Sequence, residues 1–414
     1  MFEKGKRLTF WIGATLIVGF LTGTTSAIFL HSLDFVTKLR MENLVLVYFL
    51  PLAGLIVGLF YEKFGQSVSK GNNQLLEEIQ DPKQTIPMRM APLVFIGTIL
   101  THLFGGSAGR EGTAVQMGGA LADQFSQFWK LNTDDRRILI LLGISGGFAS
   151  VFGTPVAGCV FALEVVVVGR IRLEALLPAM FTAIIADQVC LLWKIKHTQF
   201  PQIQNLEFSA ILIFSVILLG FISGLVAMCF SKITHWVSDY SKRLIPNPIL
   251  RPFVGGVAIV FLFVVGLSEK YLGLGVPTII QSFQSIQSPE TFLIKLIVTA
   301  ITIGSGFKGG EVTPLFFIGA SLGSSFGIMF DFPLEFFAAI GFVSVFAGAT
   351  NTPIACTLMG IELFGGQITT YFAIACAISY FVSGHRSIYT SQIIGSPKSN
   401  HKKGEKGKRI SEIF

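Results

Sequence analysis

Apolar stretches dominate the chain and set its predicted elements. They run over residues 8–30, 44–60, 138–168, 208–230, 254–267, 293–303, 338–364 and 371–382. A single bilayer crossing takes about 20 apolar residues in a helix. Several of these runs exceed that length and several fall short. The long runs predict tilted helices or tight helical hairpins, and the short ones predict helices that stop inside the membrane. The 44 glycines and 16 prolines fit broken helices better than a simple bundle. The expected class is therefore an all-α polytopic membrane protein, with length enough for roughly a dozen spans.

Composition supports this pattern. Of the 414 residues, 51% are hydrophobic and 13% charged, against about 25% charged in soluble domains. Mean hydropathy is +0.67. The net charge of +7 does not point to nucleic acid, because the basic residues gather at the ends: Lys4, Lys6 and Arg7 ahead of the first run, and Lys398, Lys402, Lys403, Lys406, Lys408 and Arg409 in the tail. Positive flanks predict both termini on the cytoplasmic side of the plasma (inner) membrane. Most of these lysines read as solubilising flanks. The first run is too long for the core of a signal peptide and reads as a retained helix. Cys159, Cys190, Cys229, Cys356 and Cys376 all sit in apolar runs and read as small buried hydrophobes.

The chain repeats itself. Residues 143–164 (GISGGFASVFGTPVAGCVFALE) align without gaps on residues 341–362 (GFVSVFAGATNTPIACTLMGIE), sharing the opening Gly, Phe-Ala, Thr-Pro, Ala and the closing Glu. Upstream, residues 118–125 resemble 319–326, which sets Glu111-Gly112-Thr113 against Val312-Thr313-Pro314. Two halves, roughly 8–195 and 208–385, with breaks at matching places are the sequence sign of a repeat-built transporter whose site lies at the repeat interface.

The chemistry concentrates at three breaks: Lys70-Gly71-Asn72-Asn73-Gln74, Gly109-Arg110-Glu111-Gly112-Thr113, and Gly304-Ser305-Gly306-Phe307-Lys308-Gly309-Gly310-Glu311-Val312-Thr313-Pro314. A glutamate within a membrane segment is a functional-site hypothesis by default. Glu111 sits where an apolar helix begins, and free N–H groups together with the helix dipole suit an anion there. That one break thus supplies an anion site and a carboxylate able to occupy it. Asn72 and Asn73 are read as amide donors to an anion or as helix caps. Glu164 and Glu362 close the two repeats and read as caps or helix-to-helix hydrogen bonds. Arg110 is expected to satisfy backbone carbonyls or a nearby carboxylate, and Asp187 to pair with a polar neighbour. No His/Asp/Glu set has metal-ligand spacing and no nucleotide loop is present, so neither an enzyme nor a cofactor is expected. The Gly-x-Ser-x-Gly patterns at 105–109, 143–147 and 319–323 follow no strand.

Taken together, the breaks resemble the CLC family of chloride channels and anion/proton antiporters. Its Gly-Arg-Glu-Gly-Pro signature corresponds to residues 109–113, its Gly-Ser-Gly-Ile-Pro loop to 71–75, its Gly-x-Phe-x-Pro loop to 310–314, and its late tyrosine to Tyr389. The resemblance implies two inverted repeats of tilted and broken helices over residues 1–390, a short basic cytoplasmic tail over 391–414, and a homodimer with one pathway per subunit. The departures resemble the family's fluoride/proton antiporters: Asn72 replaces the halide-binding serine, Thr113 the signature proline, and Glu311-Val312-Thr313 the apolar residues before Pro314. The inner proton-transfer glutamate of many chloride exchangers falls on Val165, which leaves the inner proton route open.

The resemblance makes Glu111 the gating and proton-transferring residue. Asn72, Asn73, Gly109, Arg110, Gly112, Glu311, Val312, Thr313 and Tyr389 line the anion path. Fluoride is small and strongly hydrated, so several close donors are needed to strip its water. Larger halides accept the same donors, so a chloride-selective antiporter or a passive chloride channel of the same family stays open as an alternative.

Overall fold

The computed structural model describes residues 2–413 except Asn205, with side chains from Arg7 onward. The flanking role read for Lys4 and Lys6 lies outside the side chains described. Sixteen α-helices follow one another, and the first eight have counterparts in the last eight. The long helices α1 (Phe2–Glu42) and α9 (Ala210–Leu244) open the halves. Then come α2 (Leu50–Phe64) and α10 (Leu250–Val264), α3 (Asn72–Gln80) and α11 (Val276–Gln281), and α4 (Met90–Leu103) and α12 (Glu290–Gly304). The halves close with α5 (Glu111–Phe128) and α13 (Val312–Phe326), α6 (Thr133–Phe152) and α14 (Leu334–Thr350), α7 (Pro155–Glu164) and α15 (Pro353–Phe364), and α8 (Leu176–Leu192) and α16 (Thr369–Val382). Five segments, including α1 and α9, are long and apolar enough to cross a bilayer; six further apolar helices are shorter than that.

The two longest apolar runs fold as hairpins for local reasons. The first breaks at Gly153, left-handed at φ 71°, before Pro155 starts α7. The second breaks at Asn351, left-handed at φ 60°, before Pro353 starts α15. Proline is tolerated in a helix's first turn and lacks the N–H to continue a preceding one. Within each half the crossing is set by glycine. A Cβ at Gly118 of α5 would collide with the Gly143 carbonyl of α6, and one at Gly319 of α13 with the Gly341 carbonyl of α14. These are the positions the sequence repeat aligns, so both halves use one backbone-to-backbone contact.

The halves meet head to tail. Glu164 at the end of α7 accepts hydrogen bonds from Ile354 N (3.2 Å) and Ala355 N (2.8 Å) at the start of α15. Glu362 near the end of α15 accepts from Val156 N (2.9 Å) and Ala157 N (2.7 Å) at the start of α7. The equivalent helices therefore run antiparallel, as an inverted repeat requires. Each carboxylate satisfies two of the orphan N–H groups of a helix start and complements its dipole. Glu164 and Glu362 are thus the helix-to-helix contacts expected.

The last residues are more than a solvated flank. Val167–Val168 pair in parallel with Ile393–Ile394. The Lys398 ammonium is spent on protein, donating to Gly384 O (2.6 Å), Ser383 Oγ (3.2 Å) and Asn351 Oδ1. Four cysteines are buried, but Cys229 is exposed on α9, against expectation. Its run faces outward there, where hydropathy alone does not distinguish lipid from core.

The reciprocal caps make a paired prediction. Glu362→Ala and Glu164→Ala each leave two N–H groups without a charged acceptor. Each is expected to cost about 1–3 kcal/mol, read as a lowered melting temperature of the detergent-solubilised protein. A fall of similar size in both would reflect the symmetry of the contact. No change in either would remove the caps from the account of how the halves are joined.

Candidate functional site

The starts of α5 and α13 meet near the centre of the fold. Gly109 N donates to Gly310 O (2.5 Å) and Gly310 N donates to Gly109 O (2.8 Å), an antiparallel bridge between the two breaks. A Cβ at Gly109 would stand 2.7 Å from Glu111 Oε2 and 3.0 Å from both Gly310 O and Thr313 N. A Cβ at Gly310 would stand 2.7 Å from Gly112 N. The chain therefore needs glycine here: two helix N-termini pack with only hydrogen atoms between their backbones.

Into this junction Glu111 turns its fully buried carboxylate. Oε2 accepts from Thr313 N and from Arg110 N, both at 3.1 Å. Oε1 accepts a short hydrogen bond from the Thr313 hydroxyl, and Arg110 Nε stands 3.7 Å from it. Two backbone amides, a hydroxyl and a guanidinium surround the two oxygens, so the carboxylate occupies an anion site built by α13. Arg110 serves the carboxylate as expected. Thr313 does not cap its own helix, because Glu111 takes its hydroxyl.

Three cavities lie around this junction. One of about 30 Å³ is lined by Arg110, Glu111, Thr313, Phe152, Phe200 and Phe316, among others. A second of about 370 Å³ reaches Asn72, Glu311, Lys308, Tyr61 and Tyr389. A third of about 10 Å³, room for about one water, lies between Asn72, Tyr389, Phe161 and Val165. Asn72 and Tyr389 border both the second and the third. Glu111 lines the first cavity and neither of the other two.

The structure brings together Gly109, Arg110, Glu111, Gly112 and Thr313 at the junction. Asn72 is adjacent, its Nδ2 2.9 Å from where a Gly112 Cβ would stand. Asn72 Oδ1 is buried and makes no hydrogen bond. The asparagines are not caps: Gly71, at φ 57°, holds that position and α3 has no side-chain cap. Asn73 does other work, its Oδ1 accepting from Ser391 N (3.0 Å), although it also borders the large cavity. Val312 packs its side chain in the core and contributes backbone alone. Thr113 turns its hydroxyl to Thr98 (2.7 Å), behind the junction. Glu164, next to the Val165 position, is committed to its cap.

Sequence reasoning missed several partners. Phe161 meets the Tyr389 ring edge to face, centroids 6.4 Å apart. Gln392 donates to Val165 O and Thr350 O, both at 2.8 Å, and accepts from Asn351 Nδ2. It fixes the segment that carries Tyr389. A lone glutamine after an apolar run carries no signal for such a role. Asp187 faces His197 Nε2 at 3.4 Å and Gln188 Nε2 at 3.2 Å, the polar pairing expected of it.

The family model for voltage gated chloride channels matches residues 53–384. The chain belongs to the CLC family. A chloride/fluoride channel protein of Pseudomonas syringae pv. tomato is 46% identical over 409 residues, covering 97% of this chain and 90% of the relative. The H(+)/Cl(-) exchange transporter ClcA of Vibrio vulnificus is 28% identical, covering 93% of this chain and 89% of its own. The crystal structure of a CLC-type fluoride/proton antiporter superimposes with TM-score 0.90 at 38% identity, over 93% of this chain and 98% of that one. A slow cyanobacterial Cl-/H+ antiporter shares the fold, with TM-score 0.79 at 19% identity over 97% of this chain and 96% of that one. This CLC protein is an integral membrane protein of a family of ion channels and transporters.

Thr313 carries the next prediction. Thr313→Val keeps the shape and deletes the donor. An anion seated at the start of α13 in place of the carboxylate is expected to bind about 1.5–3 kcal/mol more weakly, read by halide titration calorimetry. Unchanged affinity with a lowered melting temperature would make Thr313 a purely structural residue.

Proposed function

We propose that this CLC protein exports fluoride from the cytoplasm in exchange for protons, and so confers fluoride resistance. The observation that carries the reading is the Glu111 carboxylate held by the Thr313 amide and hydroxyl, in an anion site that borders a cavity. A carboxylate and a fluoride compete for the same donors, and like charges do not share a low-dielectric site cheaply. Ionised, Glu111 closes the path. Protonated, it no longer competes as an anion, so it swings away with its proton while fluoride takes the donors of Thr313. Coupling follows from that exclusion, and the proton gradient drives export without a nucleotide.

On the inner side, Asn72 and Tyr389 flank the small cavity and offer an amide and a phenol to a dehydrated anion. Glu311 is the one carboxylate among the described residues that line the large cavity. In this reading it takes the place of the inner proton-transfer glutamate, with Val165 at the usual position. Fluoride over chloride is supported by the named activity of the antiporter with TM-score 0.90 at 38% identity; the 46% identical relative is named for both ions. The remaining parts of the reading are a plasma-membrane protein with cytoplasmic termini, a transport unit over residues 1–390 with a cytoplasmic tail, and a homodimer with a separate pathway in each subunit.

Proteoliposomes loaded with fluoride are expected to release it much faster than chloride-loaded ones. Equal or faster chloride release would replace fluoride with chloride as substrate. In Glu111→Gln, which mimics the protonated side chain and cannot cycle, fluoride flux is expected to slow or cease. An imposed fluoride gradient should then drive no proton movement. Proton pumping that survives in this variant would assign exchange to another group.

A further inference from the structure

Four lysine and arginine side chains line the large cavity, and three are already engaged. Lys70 pairs with Glu77 at 2.6 Å and Lys242 with Asp239 at 3.2 Å. Arg251 donates to Ile245 O (2.8 Å) and Pro246 O (2.9 Å). Lys308 is different. Among the described residues no carboxylate, carbonyl or hydroxyl accepts a hydrogen bond from its ammonium. Its one contact is with the Tyr61 ring, Nζ 3.9 Å from the centroid.

The position of Lys308 is nonetheless fixed. Its stem lies across α4 at Gly97, where a Cβ would come within 2.9 Å of Lys308 Cβ and Cγ. It sits in the same break as Gly309, Gly310 and Glu311, one residue before the glycines that join the two helix starts. The ammonium therefore borders the cavity that Asn72, Tyr389 and Glu311 also line. A clasp between this loop and Tyr61 needs no charge, since a methionine would fill the same groove without the desolvation cost of a partly buried cation. An unpaired ammonium offers three donors and a positive charge.

We infer that Lys308 is an anion-capture subsite at the inner mouth of the pathway, holding a small monovalent anion before it reaches Asn72 and Tyr389. This rests on the reading of the large cavity as the cytoplasmic entrance. Low-dielectric walls focus the field of an ammonium with no ion-pair partner and raise the local anion concentration. Strong hydration makes fluoride a poor entrant to a neutral cavity, so a preliminary site that holds it while it keeps part of its water serves entry. A capture site acts on the concentration dependence of transport and not on its saturated rate.

The test uses the full-length protein in liposomes, with Lys308→Met and Lys308→Arg, and initial rates measured over a series of sodium fluoride concentrations. Lys308→Met is expected to raise the KM for fluoride about tenfold, to leave the saturated rate within about twofold, and to flatten the dependence of KM on ionic strength. Lys308→Arg is expected to restore KM, because it restores the charge. A Met variant with wild-type KM and ionic-strength dependence overturns the inference. So does a loss of saturated rate in both variants at constant KM, which marks a structural clasp. Should the Met variant fail to fold, Lys308→Gln is read by the same criteria. If the wild type moves chloride and not fluoride, the fluoride reading falls by itself, and the same KM comparison made with chloride still decides the lysine.

Discussion

Everything at the centre of this protein depends on two helix starts being allowed to touch. Helix N-termini carry like partial charges and unsatisfied N–H groups, so bringing two together inside a membrane is unfavourable unless something negative lies between them. The Gly109–Gly310 bridge permits the approach and the Glu111 carboxylate neutralises it. In the proposed exchange the same negative charge is what an anion replaces. On that proposal the group that stabilises the resting junction is also the competitor of the transported ion, and one constraint underlies both the fold of the site and its gating.

Much of this was legible in the sequence, for identifiable reasons. The repeat was readable because the Gly118–Gly143 and Gly319–Gly341 crossings admit no side chain, so the same residue is forced at both. The hairpins were readable because Thr-Pro and a left-handed residue must interrupt an apolar run. Glu111 and Thr313 stood out because polar groups are costly at that depth. The role of Asn73 was not legible, because its partner is a backbone N–H 318 positions away. Nothing in an asparagine pair tells which one faces a cavity. The partner of Thr113 was not legible either: its hydroxyl meets Thr98, on a neighbouring helix whose phase the sequence does not fix. The tail looked like a charged flank because composition does not register that Lys398 finds its acceptors on carbonyls and hydroxyls.

The tail also ties parts of the site together. Ser391 binds Asn73 and Glu77 on α3, and Gln392 binds the ends of α7 and α14. Between these anchors and Ser387, whose hydroxyl accepts from Tyr389 N (3.0 Å), the tyrosine is held on a short, fastened segment. Asn72 and Tyr389 border the same small cavity because the elements that carry them are fastened together by these tail contacts.

The inverted repeat has one more consequence. The backbone offers nearly the same junction to both sides of the membrane, yet Glu111 has Val312 as its counterpart and Arg110 has Glu311. What makes an inside and an outside of this pathway is a handful of side chains laid on a scaffold that by itself has no preferred direction. The sidedness of the junction is thus a property of sequence written onto symmetry.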